Sequence, residues 1–303
     1  MKVGYITVVG KPNAGKSTLV NKLVGYKVAI TTPKPQTTRY NIKGIITSDT
    51  SQMIFIDTPG VHIPKHKLGE YMMKSVENAL KDIDVVLYLV DSTKSKIDIA
   101  SENIMNNLKG TNAKVILCIT KIDKIAKEKI FKIIEEYNNY FESIGGKFLE
   151  IIPISTYKED GLKDLVTSIE KYLKDGEIIY SEDDITDLTM REMLEEIIRE
   201  KALNNLDEEI PHGINVEIES FKESVNENGK NIIKVDANII CNKMSHKSII
   251  IGKDGIMLKK IISESVKDAS KLFEARIKIN AWVKVRENWQ KNENYFKNVK
   301  NRT

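Results

Sequence analysis

Residues 5–23 read YITVVGKPNAGKSTLVNKL. An apolar, β-branched run ends at Gly10, a short loop follows, and an amphipathic run opens at Lys16. Gly10 to Ser17 has the spacing G-x-x-x-x-G-K-[ST], after a strand and before a helix. In that context Gly10, Lys11, Pro12, Asn13, Ala14 and Gly15 form a loop whose N–H groups wrap phosphates. Lys16 neutralises β- and γ-phosphate oxygens, the Ser17 hydroxyl is a hard ligand for Mg²⁺, and Thr18 completes the site. The competing reading is an accidental glycine turn, which explains neither the strand before it nor the helix after it.

The rest of the chain bounds the reading. With 303 residues there is room for two domains, each with its own core. A formal net charge of +4 is mild and excludes little until the charges are placed. Cys118 and Cys241 lie in separate apolar runs without C-x-x-C spacing, so neither a disulfide framework nor a zinc site is expected. The start lacks the features of a secretory signal, and no apolar run is long enough to span a bilayer. A soluble, cytoplasmic protein is expected.

From 1 to 173 strand-like runs alternate with helical patterns. KVGYITVV, QMIFID, DVVLYLV, AKVILCIT and KFLEIIP are the strands, and helices are predicted over 16–24, 67–82, 97–108, 126–142 and 161–174. This rhythm gives an α/β domain with helices on both faces of a sheet. NIKGIITSDTSQMIFID breaks it, because two strand runs meet across a polar turn with no helix between them. They must pair antiparallel, which makes a mixed six-stranded sheet with one reversed strand. The first domain is assigned to 1–175 and an acidic, turn-rich linker to 176–188. The second domain, 189–303, starts at a capping box, Thr189 with Glu192. It then reads helix–strand–strand–helix–helix–strand and ends in a basic helix.

Two more motifs follow the phosphate loop. Asp57-Thr58-Pro59-Gly60 closes an apolar strand. Asp57 can hold a Mg²⁺-bound water, and Gly60, lacking Cβ, can bring its N–H against a γ-phosphate. Thr120-Lys121-Ile122-Asp123 closes another. Asp123 can accept two hydrogen bonds from the N1–H and N2–H₂ edge of guanine, which adenine cannot supply, while the Lys121 stem lies along the base. Each motif alone is an ordinary turn or strand end; in series they point to a guanine nucleotide.

At this point the sequence resembles translation-factor-type GTPases. KPQTTRYNIKGI, DTPGVHIPKHKLGEYM, REMLEEIIREKALNNLDEEIPHG, IIIGKDG and VKVRENW narrow the resemblance to the Era family, a P-loop GTPase domain followed by an α+β type II KH domain. The resemblance spans nearly the whole chain. It implies GTP and GDP as ligands with Mg²⁺, binding to the 3′ region of small-subunit (16S) ribosomal RNA, a role in 30S assembly, and a monomer. It singles out Thr38, with Thr37 as its neighbour, as a Mg²⁺ ligand from a mobile loop, so that Lys16, Thr38 and Gly60 act at the γ-phosphate. Ser155-Thr156 is the last base-contacting motif.

Three features depart from the general GTPase pattern. Thr120 stands where asparagine is usual, so fewer donors tie the base loop to the phosphate loop. Thr156 replaces an alanine whose contact is through backbone. Val61 follows Gly60 where many GTPases place a water-orienting glutamine nearby, a lack the family shares; slow intrinsic hydrolysis is expected. Asn13 resembles an asparagine that holds K⁺ in related GTPases; a loop-bracing amide is the alternative.

Residues 249–261, IIIGKDGIMLKKI, contain a second glycine loop. In a KH module G-x-x-G clamps the backbone of a short single strand. Gly252 and Gly255 allow close approach, Lys253 and Lys259 supply charge, and Ile249, Ile250, Ile251 and Ile256 offer apolar surface to bases; the alternative is a tight turn between packed helices with the isoleucines in the core. Asp254 repels phosphate unless it turns away to cap the next helix. Lys284 and Arg286 open a basic tail with Lys291, Lys297, Lys300 and Arg302, interleaved with Trp282, Trp289 and Tyr295. This tail is read either as an RNA surface or as a solvated helix with packed tryptophans. Two further functions stay open: an RNA chaperone whose nucleotide only sets conformation, and a switch that touches the inner face of an anionic membrane through its basic tail.

Overall fold

The computed structural model describes residues 1–64, 66–207, 210–227 and 229–292. The chain divides into two compact units. One comprises 1–29, 38–65 and 69–187; the other comprises 30–37, 66–68 and 188–303.

The first unit carries β1 (Lys2–Gly10), α1 (Lys16–Val24), β2 (Ile42–Thr47), β3 (Ser51–Asp57) and, from Gly69 onward, α2 (Lys67–Asn78). Then come β4 (Val85–Asp91), α3 (Ile99–Lys109), β5 (Lys114–Thr120), α4 (Lys127–Ser143), β6 (Glu150–Pro153), α5 (Leu162–Tyr172) and β7 (Lys174–Asp175). The sheet runs β2-β3-β1-β4-β5-β6. Only β2 is reversed along this path, pairing antiparallel with β3 from Ile42 opposite Asp57 to Thr47 opposite Gln52. The two-residue β7 adds an antiparallel pairing to β1 that the sequence did not signal. Alternation explains the continuous apolar runs, because both faces are buried. In β4, Val85, Leu87 and Leu89 join the core against α1 and α5, and Val86, Tyr88 and Val90 join the core against α3 and α4. Cys118 sits in the first of these cores and Cys241 in the core of the second unit, both buried and unpaired with each other.

The acidic stretch expected to be a linker is instead bound to the first unit. Gln52, fully buried, accepts from the Ile179 and Tyr180 N–H groups and donates to the Tyr180 carbonyl. The Ile45 N–H donates to the Ile185 carbonyl and the Thr186 hydroxyl to the Lys43 carbonyl. The free edge of β2 would otherwise leave these backbone groups without partners, and the strap satisfies them.

The second unit contains α6 (Met190–Asn205), β8 (Asn215–Val225), β9 (Asn231–Cys241), α7 (Met244–Ile251), α8 (Ile256–Leu272) and β10 (Arg276–Val285). The Thr189 hydroxyl and the Glu192 carboxylate cap α6 reciprocally. β8 and β9 are antiparallel, β9 and β10 parallel, in the order β10-β9-β8. One sheet face is apolar (Ile218, Val235, Ile239, Ile277 and Val283) and shares a core with α6, α7 and α8. Residues 30–37 belong to this unit: Glu200 accepts from the Thr31 N–H at 2.9 Å, and the Arg199 guanidinium donates to the Thr37 carbonyl at 2.7 Å.

Candidate nucleotide and RNA sites

The ends of β1, β3 and β5 lie along one edge of the parallel sheet, where loops converge on a ligand. Gly60 is pressed against the phosphate loop. A Cβ there would meet Pro12 Cα and N at 2.9 Å, so only glycine permits the approach. The Val61 N–H donates to the Gly10 carbonyl, and the Thr58 hydroxyl to Val8, which fixes the strand ends to each other.

Lys16 is buried, and its ammonium donates to the Gly10 and Lys11 carbonyls at 3.2 and 3.0 Å. Burial lowers its pKa to about 8, opposed by the nearby Asp57 charge. The Asp57 carboxylate accepts from the Ser17 hydroxyl at 2.6 Å and the Thr38 hydroxyl at 3.2 Å; those two hydroxyls are 3.0 Å apart. Burial raises Asp57 to about 6, and the hydrogen bonds and Lys16 only partly offset it. Its second oxygen, Oδ1, is buried without a hydrogen-bond partner among the described residues. Three hard oxygen donors with one orphaned carboxylate oxygen suit Mg²⁺. Thr37, by contrast, bonds locally to Lys34 and Thr32, so Thr38 is the threonine brought to the cluster.

The base side is an open cleft of about 340 Å³ lined by Gly15, Thr18, Thr120, Lys121, Asp123, Lys124, Thr156 and Tyr157. Lys121 has left-handed backbone, φ 58°. Its ammonium bonds the Asn13 carbonyl at 2.8 Å and Asp91 at 2.6 Å, and this ion pair holds Asp91 below the usual carboxylate range despite partial burial. The Ser155 hydroxyl donates to one oxygen of Asp123 at 2.6 Å, and Asp123 lines the cleft. Sequence reading missed Asp91, Ser92 (whose hydroxyl bonds the Lys121 carbonyl) and the exposed Tyr157. The polar pair Asp91-Ser92 closing an apolar strand was the available signal. It also missed His62, whose Nδ1 pairs with the Gly60 carbonyl at 2.8 Å. Lys11 turns away from the cleft to Asp98. Ala14 is packed in the core of this unit.

The second glycine loop joins α7 to α8. Gly252 and Gly255 have φ of 72° and 74°, a conformation side chains resist, and Asp254 shares it at 52°. Lys253, Asp254, Lys259 and Ile249 are exposed. Ile250 is fully buried and Ile251 packs partly against the core. Ile250 thus has no surface to give a base, because the helical period turns it inward. Gly255 caps α8 and no side chain does, so Asp254 does not perform the expected capping. Lys284 pairs with Glu219 at 2.6 Å and Arg286 with Glu217 at 2.7 Å. Trp289 is core, its indole N–H bonded to Gly213, whereas Trp282 is half exposed. Tyr295, Lys297, Lys300, Arg302 and the expected basic helix lie outside the described residues.

Comparison with known proteins matches both halves. A family model described as a 50S ribosome-binding GTPase covers residues 5–121, and one described as a KH domain covers 209–290. GTPase Era of Clostridium kluyveri is 42% identical over 299 residues, 99% of each chain. GTPase Era of Clostridium perfringens is 45% identical over 298 residues, 98% of this chain and 97% of that one. A crystal structure of Era in complex with MgGDPNP and nucleotides 1506–1542 of 16S ribosomal RNA superimposes with a TM-score of 0.92 at 38% identity, over 98% of both chains. With a P-loop GTPase fold, a KH fold and these relatives along its length, the chain belongs to the Era family of GTPases.

Proposed function

We propose that this GTPase uses its nucleotide state to control binding of the 3′ region of 16S ribosomal RNA by its KH unit, in service of 30S assembly. The observation that carries the reading is the presence in one chain of two complementary loops. In one, Asp123, bonded by Ser155, lines the base cleft. In the other, Gly252 and Gly255 bare the backbone beside exposed Lys253. The similar Era crystal structure holds both an Mg²⁺-nucleotide and such an RNA. The assignment of nucleotide binding to the first unit and of RNA binding to 189–303 is part of this proposal.

In the proposed mechanism Ser17 and Thr38 would hold Mg²⁺ directly and Asp57 would hold it through a water, and the ion would supply charge neutralisation of the phosphates. Lys16 exchanges its two backbone carbonyl partners for phosphate oxygens, so its charge is compensated where it is now desolvated. Gly60 offers its N–H to the γ-phosphate. Val61 cannot polarise water, so turnover is slow. K⁺ at Asn13 is the proposed source of extra positive charge, and hydrolysis should be faster in K⁺ than in Na⁺; equal rates leave Asn13 a loop brace.

The test is Lys253→Asp. Two adjacent carboxylates then face the phosphate backbone, and RNA affinity should fall by roughly 100-fold or more at fixed salt. GTP affinity and the thermal melt should not change. Unchanged RNA affinity with a normal melt would reduce the G-x-x-G segment to a turn.

A further inference from the structure

The second unit's sheet packs its main core on one face, and the other face is open over the part that carries Ile232, Lys234 and Asp236, since Asn238 and Ile240 further along it are buried. In β9, Ile233, Val235, Ala237, Ile239 and Cys241 point into that core, so Ile232, Lys234, Asp236 and Asn238 lie on the other face. Strand register sets Lys222 of β8 opposite Lys234 of β9, and Lys234 opposite Lys278 of β10. Three lysines therefore form one row across all three strands, about 4.8 Å from strand to strand. All three are exposed, as is Arg276 in the adjoining row, opposite Ile232. Among the described residues, none of these four side chains has an ion pair or hydrogen bond. The acid nearest in register, Asp236, is engaged by the Asn280 amide at 2.9 Å. Along β10 from Lys278, the half-exposed Trp282 stands on the same face, opposite Asn238.

Like charges directly opposite one another destabilise a sheet. Lysines on edge strands are ordinary protection against edge-to-edge pairing. That accounts for Lys222 and Lys278, since β8 and β10 are the edges, but not for Lys234 on the central strand. A polyanion laid across the face converts the repulsion into attraction. The aromatic ring on the same flat face adds a platform on which a base stacks. A lipid surface fits less well: around the single ring lie Asn280, Asp236 and the Lys284–Glu219 ion pair, which offer nothing to an apolar phase.

We propose that the outer face of β8, β9 and β10 is a second RNA-contacting surface. The Lys222–Lys234–Lys278 row and Arg276 take the phosphate backbone, and Trp282 stacks on an unpaired base. The proposal rests on the RNA-binding reading above and extends it beyond the G-x-x-G loop.

The experiment uses the full chain with Lys222, Lys234 and Lys278 all changed to Gln. Two probes are titrated over a range of salt: a single strand of about eight nucleotides, long enough for the loop clamp of about four, and the 3′ segment of 16S RNA corresponding to nucleotides 1506–1542. The longer RNA should bind about 10- to 100-fold more weakly at moderate salt. The slope of log affinity against log salt should flatten by about 2, as expected for three lost single-strand phosphate contacts. Short-strand and GTP affinities should hold, and the melting temperature should hold or rise, because the repelling row is gone. Trp282→Ala should weaken the longer RNA by about 5- to 100-fold, with Trp282→Phe largely restoring it. Unchanged long-RNA affinity and slope in the folded triple variant overturn the proposal. So does loss of binding to phosphatidylglycerol vesicles with RNA binding intact. If the wild type binds neither RNA, the underlying RNA reading has failed instead.

Discussion

The Thr120 hydroxyl lies 2.9 Å from the Ala14 carbonyl and 3.2 Å from the Val90 carbonyl, so the base loop is tied to the phosphate loop by one donor with two acceptors. A single hydroxyl here stands in for an amide with two donors. Thr120→Val keeps the shape and removes the tie. GDP affinity should fall about 3- to 10-fold, the worth of one net hydrogen bond. Preference for guanine over adenine should not move, because Asp123 is untouched. Titration with a fluorescent nucleotide, with ATP as competitor, checks both halves of the expectation.

Asp123 should carry that preference. In Asp123→Asn the Ser155 hydroxyl still has an oxygen to donate to, but one acceptor becomes a donor facing the N1–H and N2–H₂ edge. GTP affinity should drop by roughly 100-fold or more, and xanthosine triphosphate should gain. A wild type that binds ATP as tightly as GTP would remove the basis for assigning the base.

Asp57 provides a pH test with a definite sign. Its folded pKa of about 6 stands above the ordinary 3.8, so the native state binds its proton more tightly than the unfolded chain. Stability from this group is full below about pH 4 and is lost as pH rises toward 6. In chelator, Asp57→Asn should therefore be more stable than wild type above pH 6, by up to about 3 kcal/mol. The advantage should vanish below pH 4, and adding Mg²⁺ should raise the wild-type melting temperature but not the variant's. Urea melts at pH 4 and 7.5 decide it; an equal difference at both would mean that Asp57 is not the titrating group.

Lys16 gives the complementary signature. With a pKa of about 8 in the free protein, it is partly neutral above that pH. Phosphate oxygens favour the ammonium form, so nucleotide binding should take up a proton at pH 8.5 to 9 and almost none at pH 7. Calorimetry in two buffers of different ionisation enthalpy reads the uptake directly. No uptake at pH 9 would show that the lysine is already fully charged in the free protein.

The sequence alone determined the two-domain order, the reversed strand and the nucleotide motifs. Those features are local: a period of two with both faces apolar, a turn with no helix between runs, and glycine spacing that fixes how a loop must bend. Even the exchange of Asn for Thr120 could be weighed, since donor counts are a property of the side chain. What the sequence left open depended on neighbours distant along the chain. Gln52 looked like an ordinary strand residue, and only its burial against 179–180 shows why the acidic stretch is a bound strap. Ile249 and Ile250 read alike, yet the turn of α7 exposes one and buries the other. Trp282 and Trp289 could not be separated until Gly213 accepted one indole N–H. The lysine row is invisible in one dimension: Lys222, Lys234 and Lys278 are well separated in sequence, and strand register alone brings them side by side. Register is set by the shared core and by the bulge between Ile218 and Ser220, which no local pattern encodes.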